Sequence, residues 1–147
     1  MSVRPAGTGD IAGVVAAYEW LFAPPGARPG SWDVQVAGAR LIEALSDDRS
    51  GVLIAQRGQG LVGFCTLYLD IVSVRFGLRC WLEDLAVHPA QRSTGVGAAL
   101  LGQAKRWANA RGATHLELDS AVTRTDAHRF YERHDPAGRS LCYSWPV

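Results

Sequence analysis

The sequence predicts an α/β domain built on a mixed, mostly antiparallel sheet, and three observations carry that reading. In the first half, runs rich in β-branched and aromatic residues flank short glycine turns, the pattern of antiparallel hairpins. From Leu78 onward the order becomes strand, helix, strand, helix, strand, and a strand–helix–strand crossover makes a right-handed parallel connection. The chain has 147 residues, of which 48% are hydrophobic. That suffices for one core without disulfide or metal support, and no linker or repeat divides it, so residues 1–147 form a single domain with about four helices.

Each element follows from its local pattern. Residues 10–22 predict a helix, with Asp10 as candidate N-cap and Ile11, Val14, Val15, Tyr18 and Phe22 at helical spacing. Pro24-Pro25-Gly26 stops it. Ser31 or Asp33 caps a second helix carrying Val36, Ala37, Leu41, Ile42 and Leu45. Residues 52–57 predict a strand, Gly58-Gln59-Gly60 a hairpin turn, and Leu61 to about Ser73 its partner. A turn over 75–77 leads to a strand from Leu78 to Val87. Residues 95–111 predict a long helix whose Val96, Leu100, Ala104, Trp107 and Ala108 form one stripe, ended by Gly112. Residues 114–118 predict a short strand, Thr125 or Asp126 opens a helix to about His134, and Ser140 to Trp145 predicts a closing strand.

Composition excludes several functions. A net charge of +1 argues against nucleic-acid binding, which needs a basic face. No apolar run approaches the roughly 18 residues of a membrane span, and no basic segment precedes an apolar core at the N-terminus. The expected location is the cytoplasm. Cys65, Cys80 and Cys142 lie in apolar surroundings and predict buried reduced thiols. The four histidines lack metal-ligand spacing, so no metal site is expected.

The most informative stretch is Val87-His88-Pro89-Ala90-Gln91-Arg92-Ser93-Thr94-Gly95-Val96-Gly97-Ala98. A strand ends and a short loop brings an arginine and small residues to the mouth of a helix. Free amides there, with the helix dipole, favour an anion, and Arg92 adds charge-assisted hydrogen bonds. Gly95 and Gly97 allow close approach of a diphosphate, or merely a tight turn and close helix packing. A P-loop is excluded because no Gly-Lys-Ser/Thr follows the glycines. Gly7-Thr8-Gly9-Asp10-Ile11-Ala12 fits the dinucleotide fingerprint in letters, but Ser2-Val3-Arg4 before Pro5 is too short for the buried strand that fingerprint requires.

The pattern Arg92-x-x-Gly95-x-Gly97-Ala98 resembles the acyl-CoA loop of the GNAT superfamily of N-acyltransferases. Trp81-Leu-Glu-Asp-Leu-Ala-Val-His-Pro89 resembles that family's central strand, and Ala127-His-Arg-Phe-Tyr-Glu-Arg133 its last helix. The resemblance covers nearly the whole chain. It implies a central parallel strand pair that splays apart, with the pantetheine arm of acetyl-CoA in the gap. Leu85, Ala86 and Val87 would present backbone to that arm, and Arg92, Ser93, Thr94, Gly95, Val96, Gly97 and Ala98 would hold the pyrophosphate. Two positions depart from the family: Ser93 replaces a common glycine, and Asp135-Pro136 stands where Gly-Phe is usual. Arg124 occupies a position often held by asparagine; it would reach a cofactor phosphate or lie on the surface.

The resemblance implies acetyl transfer to a primary amine of a small molecule or protein. A lysine-like amine has a pKa near 10.4, so its neutral form costs roughly 4–5 kcal/mol at pH 7 and a positioned base helps. Strand alternation puts Glu83 on the face of Leu85 and Val87 and Asp84 on the other, which makes Glu83 the candidate base, or else a structural carboxylate. Tyr131, protonated at neutral pH and facing as Ala127 does, is the candidate acid for the leaving thiolate, or a core aromatic. A backbone amide near Leu85 would serve the oxyanion. Cys80 has no histidine beside it, so direct transfer in a ternary complex is expected over an acyl-cysteine. Trp20, Phe22, Trp32 and Asp33 fall where the family lines its acceptor pocket, or in the core. The alternative motivated by Asp135-Pro136 is a non-catalytic acyl-CoA-binding or sensing module. Five tryptophans leave room for a homodimer.

Overall fold

The computed structural model describes all residues, Met1–Val147. Its elements are β1 (Ser2–Pro5), α1 (Ile11–Ala17), α2 (Glu19–Phe22), α3 (Val34–Ser46), β2 (Ser50–Arg57), β3 (Gly60–Ser73), β4 (Gly77–Val87), α4 (Val96–Ala110), β5 (His115–Glu117) and α5 (Thr125–Glu132), with 3₁₀ turns at Thr8–Asp10 and Pro89–Gln91. The five strands form one sheet in chain order. Pairing is antiparallel from β1 to β4 and parallel between β4 and β5. The parallel contact is short: Arg79, Cys80 and Trp81 face His115, Leu116 and Glu117. Beyond Trp81, β4 runs on to Val87 with no strand on that side, so the expected splay is present.

Two apolar layers clamp the sheet. On one face α4 buries Val96, Leu100, Leu101, Ala104, Trp107 and Ala108 against Leu53, Cys65, Leu67, Cys80 and Leu82. On the other, Ile11, Val14 and Ala17 of α1 and Leu41 and Ala44 of α3 cover Val52, Ile54, Phe64 and Ala86. α4 sits low on the sheet because Gly63 presents no side chain. A Cβ there would lie 2.9 Å from both Val96 and Leu100 and 3.0 Å from the Ala86 carbonyl. The helix mouth is thereby held close to the end of β4.

Several sequence expectations need correction. The helix over 10–22 is interrupted at Tyr18, so α1 and α2 are two pieces of one arm. Asp10 does not cap α1; its carboxylate accepts from Arg4 and from the Gly7 amide at 2.7 Å, and those bonds hold it below the usual carboxylate range. Ser2–Pro5 is, as expected, too short for a buried strand and pairs as an edge strand on β2. No strand forms over Ser140–Trp145. Asp135 takes a left-handed φ of +51° and Pro136 has no amide to donate, so the chain leaves α5 without a ladder onto β5. β5 therefore ends the sheet. Leu141, Tyr143 and Trp145 alternate as a strand would but are 71–77% exposed, and Cys142 is exposed with them.

Candidate active site

At the end of β4, His88 caps the Pro89–Gln91 turn by accepting from the Ala90 amide at 3.2 Å. The chain then passes through Ser93 at φ +60° and Gly95 at φ +88° before α4 begins. The left-handed Gly95 suits glycine, and a Cβ there would meet open space. The first backbone bond of α4 runs from the Ala99 amide to the Gly95 carbonyl at 3.0 Å. The amides of Ser93 to Ala98 therefore donate to nothing within the chain. Arg57, at the end of β2, holds this turn. It donates to Gln91 Oε1 at 2.8 Å and to both the carbonyl and the hydroxyl of Thr94 at 3.1 Å. Sequence reasoning missed Arg57, whose contacts lie more than thirty residues away along the chain. Arg92 is exposed and reaches the Trp20 carbonyl at 3.4 Å.

The gap between β4 and the segment after β5 forms a cavity of about 270 Å³. Leu82, Glu83, Asp84 and Leu85 line one wall, Leu118 to Ala121 another, and Arg124, Ala127 and Tyr131 a third. Burial pushes the Tyr131 phenol up to about 12, so it remains protonated at neutral pH. The Ser120 hydroxyl is buried in this wall with no hydrogen-bond partner. A buried polar group in that state is the exception in folded proteins and commonly awaits a ligand or water. Arg124 does not lie free on the surface. Its guanidinium donates to the Leu21 carbonyl at 2.9 Å and ties α5 to α2.

A second cavity of about 490 Å³ lies under α2, α3 and the loop between them. Tyr18, Phe22, Trp32 and Tyr68 supply its aromatic wall. Rings of Tyr18 and Trp32 are 5.0 Å apart and those of Phe22 and Trp32 4.7 Å. Asp33 lies on the rim, where it caps α3 by accepting from the Gln35 and Val36 amides at 2.8 and 2.9 Å. Of the acceptor-side residues singled out from sequence, Phe22, Trp32 and Asp33 line this cavity; Trp20 instead packs edge-on against His88 at 5.0 Å. The two cavities share Leu21, Glu83, Asp84 and Arg124 as a common wall.

A bulge brings both carboxylates to that wall. Thr66 pairs with Asp84 and Leu67 with Leu82, which leaves Glu83 without a partner on β3. Before the bulge Cys80 and Leu82 face α4; after it, Leu85 and Val87 do. Asp84 faces the α1 side, as alternation predicts, but is not thereby removed from the site. Its Oδ2 accepts from the Tyr18 hydroxyl at 2.7 Å and from Thr66 at 3.2 Å, and no group in the chain occupies Oδ1. Burial, joined by the charge of Glu83, holds the Asp84 carboxyl above its ordinary value. Glu83 is exposed and accepts from Trp81 Nε1 at 2.5 Å.

The thiols stand apart from this chemistry. Cys65 and Cys80 are fully buried, and burial pushes them up to about 12 and about 11. Such thiols are poor nucleophiles at neutral pH. No cluster of histidine, cysteine and carboxylate side chains could hold a metal ion, and no helix is long and apolar enough to cross a membrane.

A sheet split after Trp81, an open helix mouth beside the split and a cavity on each side of one carboxylate wall describe a two-substrate transferase of α/β class. The model of the GNAT acetyltransferase family matches residues 11–135. The uncharacterized N-acetyltransferase YhfO of Bacillus subtilis (strain 168) is 33% identical over 137 residues, covering 91% of this chain and 88% of that protein. The aminoalkylphosphonate N-acetyltransferase of Salmonella typhimurium is 32% identical over 80 residues, 54% of this chain and 52% of that one. In fold, the aminoglycoside acetyltransferase AAC(6')-Iy, solved with a CoA-linked bisubstrate analog, superposes with a TM-score of 0.80 at 20% identity. That match covers 99% of this chain and 98% of the other. The chain belongs to the GNAT acetyltransferase family, and it is an acyl-CoA-dependent N-acetyltransferase with acetyl-CoA as co-substrate. A non-catalytic acyl-CoA-binding module is not favoured, since its relatives carry the transferase name.

Proposed function

We propose that the protein acetylates a small primary amine by direct attack on acetyl-CoA, with the two substrates meeting at the wall of Glu83, Asp84 and Arg124. The observation that carries this reading is that shared wall: one cavity opens into the sheet gap, the other under α2 and α3, and the same residues bound both. Pyrophosphate oxygens accept from the open amides between Ser93 and Ala98, with Arg92 turning to them from the Trp20 carbonyl. Backbone of Leu85, Ala86 and Val87 faces the pantetheine arm along the unpaired edge of β4. Acetyl-CoA fits the open groups of the chain: its phosphates match the free amides, and its carbonyls match the orphaned Ser120 hydroxyl.

The transfer balances on the groups present. The amine nitrogen forms a bond to the thioester carbonyl carbon and the carbon–sulfur bond breaks. Glu83 at the exposed end holds the incoming ammonium, and Asp84 Oδ1 takes one of its protons to free the attacking amine. Tyr131 gives its proton to the leaving thiolate, and the second proton of the nitrogen restores the Tyr131 phenol. Asp84 is held by Tyr18 and Thr66 and its carboxyl is raised by burial, which suits it to accept a proton, whereas Glu83 is exposed. Arg124 braces the wall through its bond to Leu21, which favours a role between the two substrates over a purely phosphate-binding one. The cavity of about 490 Å³ has the size of small-molecule sites, which favours a free amine over a protein side chain. Thiol release from acetyl-CoA over a panel of small amines tests the reading. Turnover on a small amine supports it; turnover only on peptide amines overturns the acceptor class.

A further inference from the structure

Five charged side chains line the larger cavity: Asp33, Arg40, Glu83, Asp84 and Arg124. Four have partners in the chain. Asp33 caps α3, Glu83 takes the Trp81 indole, Asp84 takes Tyr18 and Thr66, and Arg124 donates to Leu21. Arg40 alone has no hydrogen bond or ion pair. It is exposed and belongs to α3, whereas the reacting carboxylates are on β4. The rings of Tyr18, Phe22, Trp32 and Tyr68 line the same cavity. The three carboxylates attract an amine, but Asp33 is committed to the α3 cap, and Arg40 with Arg124 opposes the further positive charges of a polyamine or aminoglycoside. An unpartnered guanidinium selects an anion, and its fork matches a carboxylate or phosphonate in two bonds.

We infer that the acceptor is a primary amine joined through a flat apolar body to an anionic group, and that Arg40 selects it by pairing with that anion. The inference rests on the placement of the amine at the Glu83–Asp84 wall proposed above. The amine stands at the carboxylates, the body lies along the aromatic wall, and the carboxylate or phosphonate end reaches Arg40. Arg40 is thus a specificity-determining residue that takes no part in proton transfer.

Three amines on one skeleton test this: 4-(aminomethyl)benzoate, 4-(aminomethyl)benzyl alcohol and 1,4-bis(aminomethyl)benzene. They differ only in an anionic, neutral or cationic far end. The anionic compound is expected to exceed the neutral one in kcat/KM by about tenfold, chiefly through KM, and the cationic one to be poorest. Arg40→Met is expected to collapse the ratio of anionic to neutral compound towards one, and Arg40→Lys to restore part of it. Equal use of all three, preference for the diamine, or a ratio unchanged in Arg40→Met would overturn the inference. Calorimetric titration with acetyl-CoA separates the levels. Donor binding with none of the three acetylated overturns the acceptor class alone, whereas no donor binding overturns the reading of the site on which it rests.

Discussion

Asp84 and Glu83 are neighbours in sequence with different surroundings. One is fixed beneath Tyr18 and Thr66, the other is exposed at a bulge. If Asp84 is the base, kcat falls as the pH drops through its raised value, since only the ionised form accepts a proton. Asp84→Asn should then lower kcat by about 10²- to 10⁴-fold and abolish that acid limb. Glu83→Gln should act in the opposite sense on the profile. Removing the charge that helps raise Asp84 lets its value fall, so the limb moves to lower pH while kcat drops less. Loss of the limb in Glu83→Gln and its survival in Asp84→Asn would reverse the two roles. Tyr131→Phe should cost about 10- to 100-fold in kcat with little change in acetyl-CoA affinity, because the missing proton is needed only as the thiolate departs. A cost confined to acetyl-CoA binding would make Tyr131 a wall residue. Strand alternation directs attention to Glu83 from the sequence, but Asp84 needs the bulge at Glu83 and the ring of Tyr18, sixty-six positions away. Neither leaves a mark in local spacing.

At the level of elements, legibility follows the range of the forces involved. The α4 stripe of Val96, Leu100, Ala104, Trp107 and Ala108 is buried as its spacing predicts, because one helix face meets one sheet. The Asp33 cap is equally local. The break at Tyr18 is not, since its hydroxyl is held by Asp84 on β4. The open mouth of α4 shows both kinds of determinant. Gly95 is visible in sequence and Arg57 is not, yet both shape the turn. Gly95→Ala forces a side chain into φ +88°, a strain of about 1–2 kcal/mol. It should lower the melting temperature and weaken coenzyme A binding in calorimetry. Arg57→Ala removes the bonds to Gln91 and Thr94 without touching a substrate. It should raise the KM for acetyl-CoA several-fold with a much smaller change in kcat, and an unchanged KM would show that the turn holds its shape unaided.

For the whole molecule, stability resides in the two layers on the sheet, and the segment after α5 adds nothing to either. No residue beyond Phe130 belongs to the apolar clusters, and residues 135–147 are exposed throughout. The Arg139–Glu132 ion pair at 2.7 Å is itself on the surface, where such pairs contribute little. The alternation Ser140-Leu-Cys-Tyr-Ser-Trp145 suggests a strand because it has the right period; it forms none because Asp135 and Pro136 redirect the chain and β5 is only three residues long. Deleting residues 140–147 should therefore leave the melting temperature nearly unchanged. At roughly 2–4 °C per kcal/mol for a chain near this size, a loss of Leu141, Tyr143 and Trp145 from true burial would instead lower it by well over 5 °C. Thermal unfolding of the full and shortened chains over a range of protein concentrations decides the matter. A large, concentration-dependent drop on deletion would mean that these side chains are covered by a second copy in solution. A drop independent of concentration would mean that they fold back onto their own sheet.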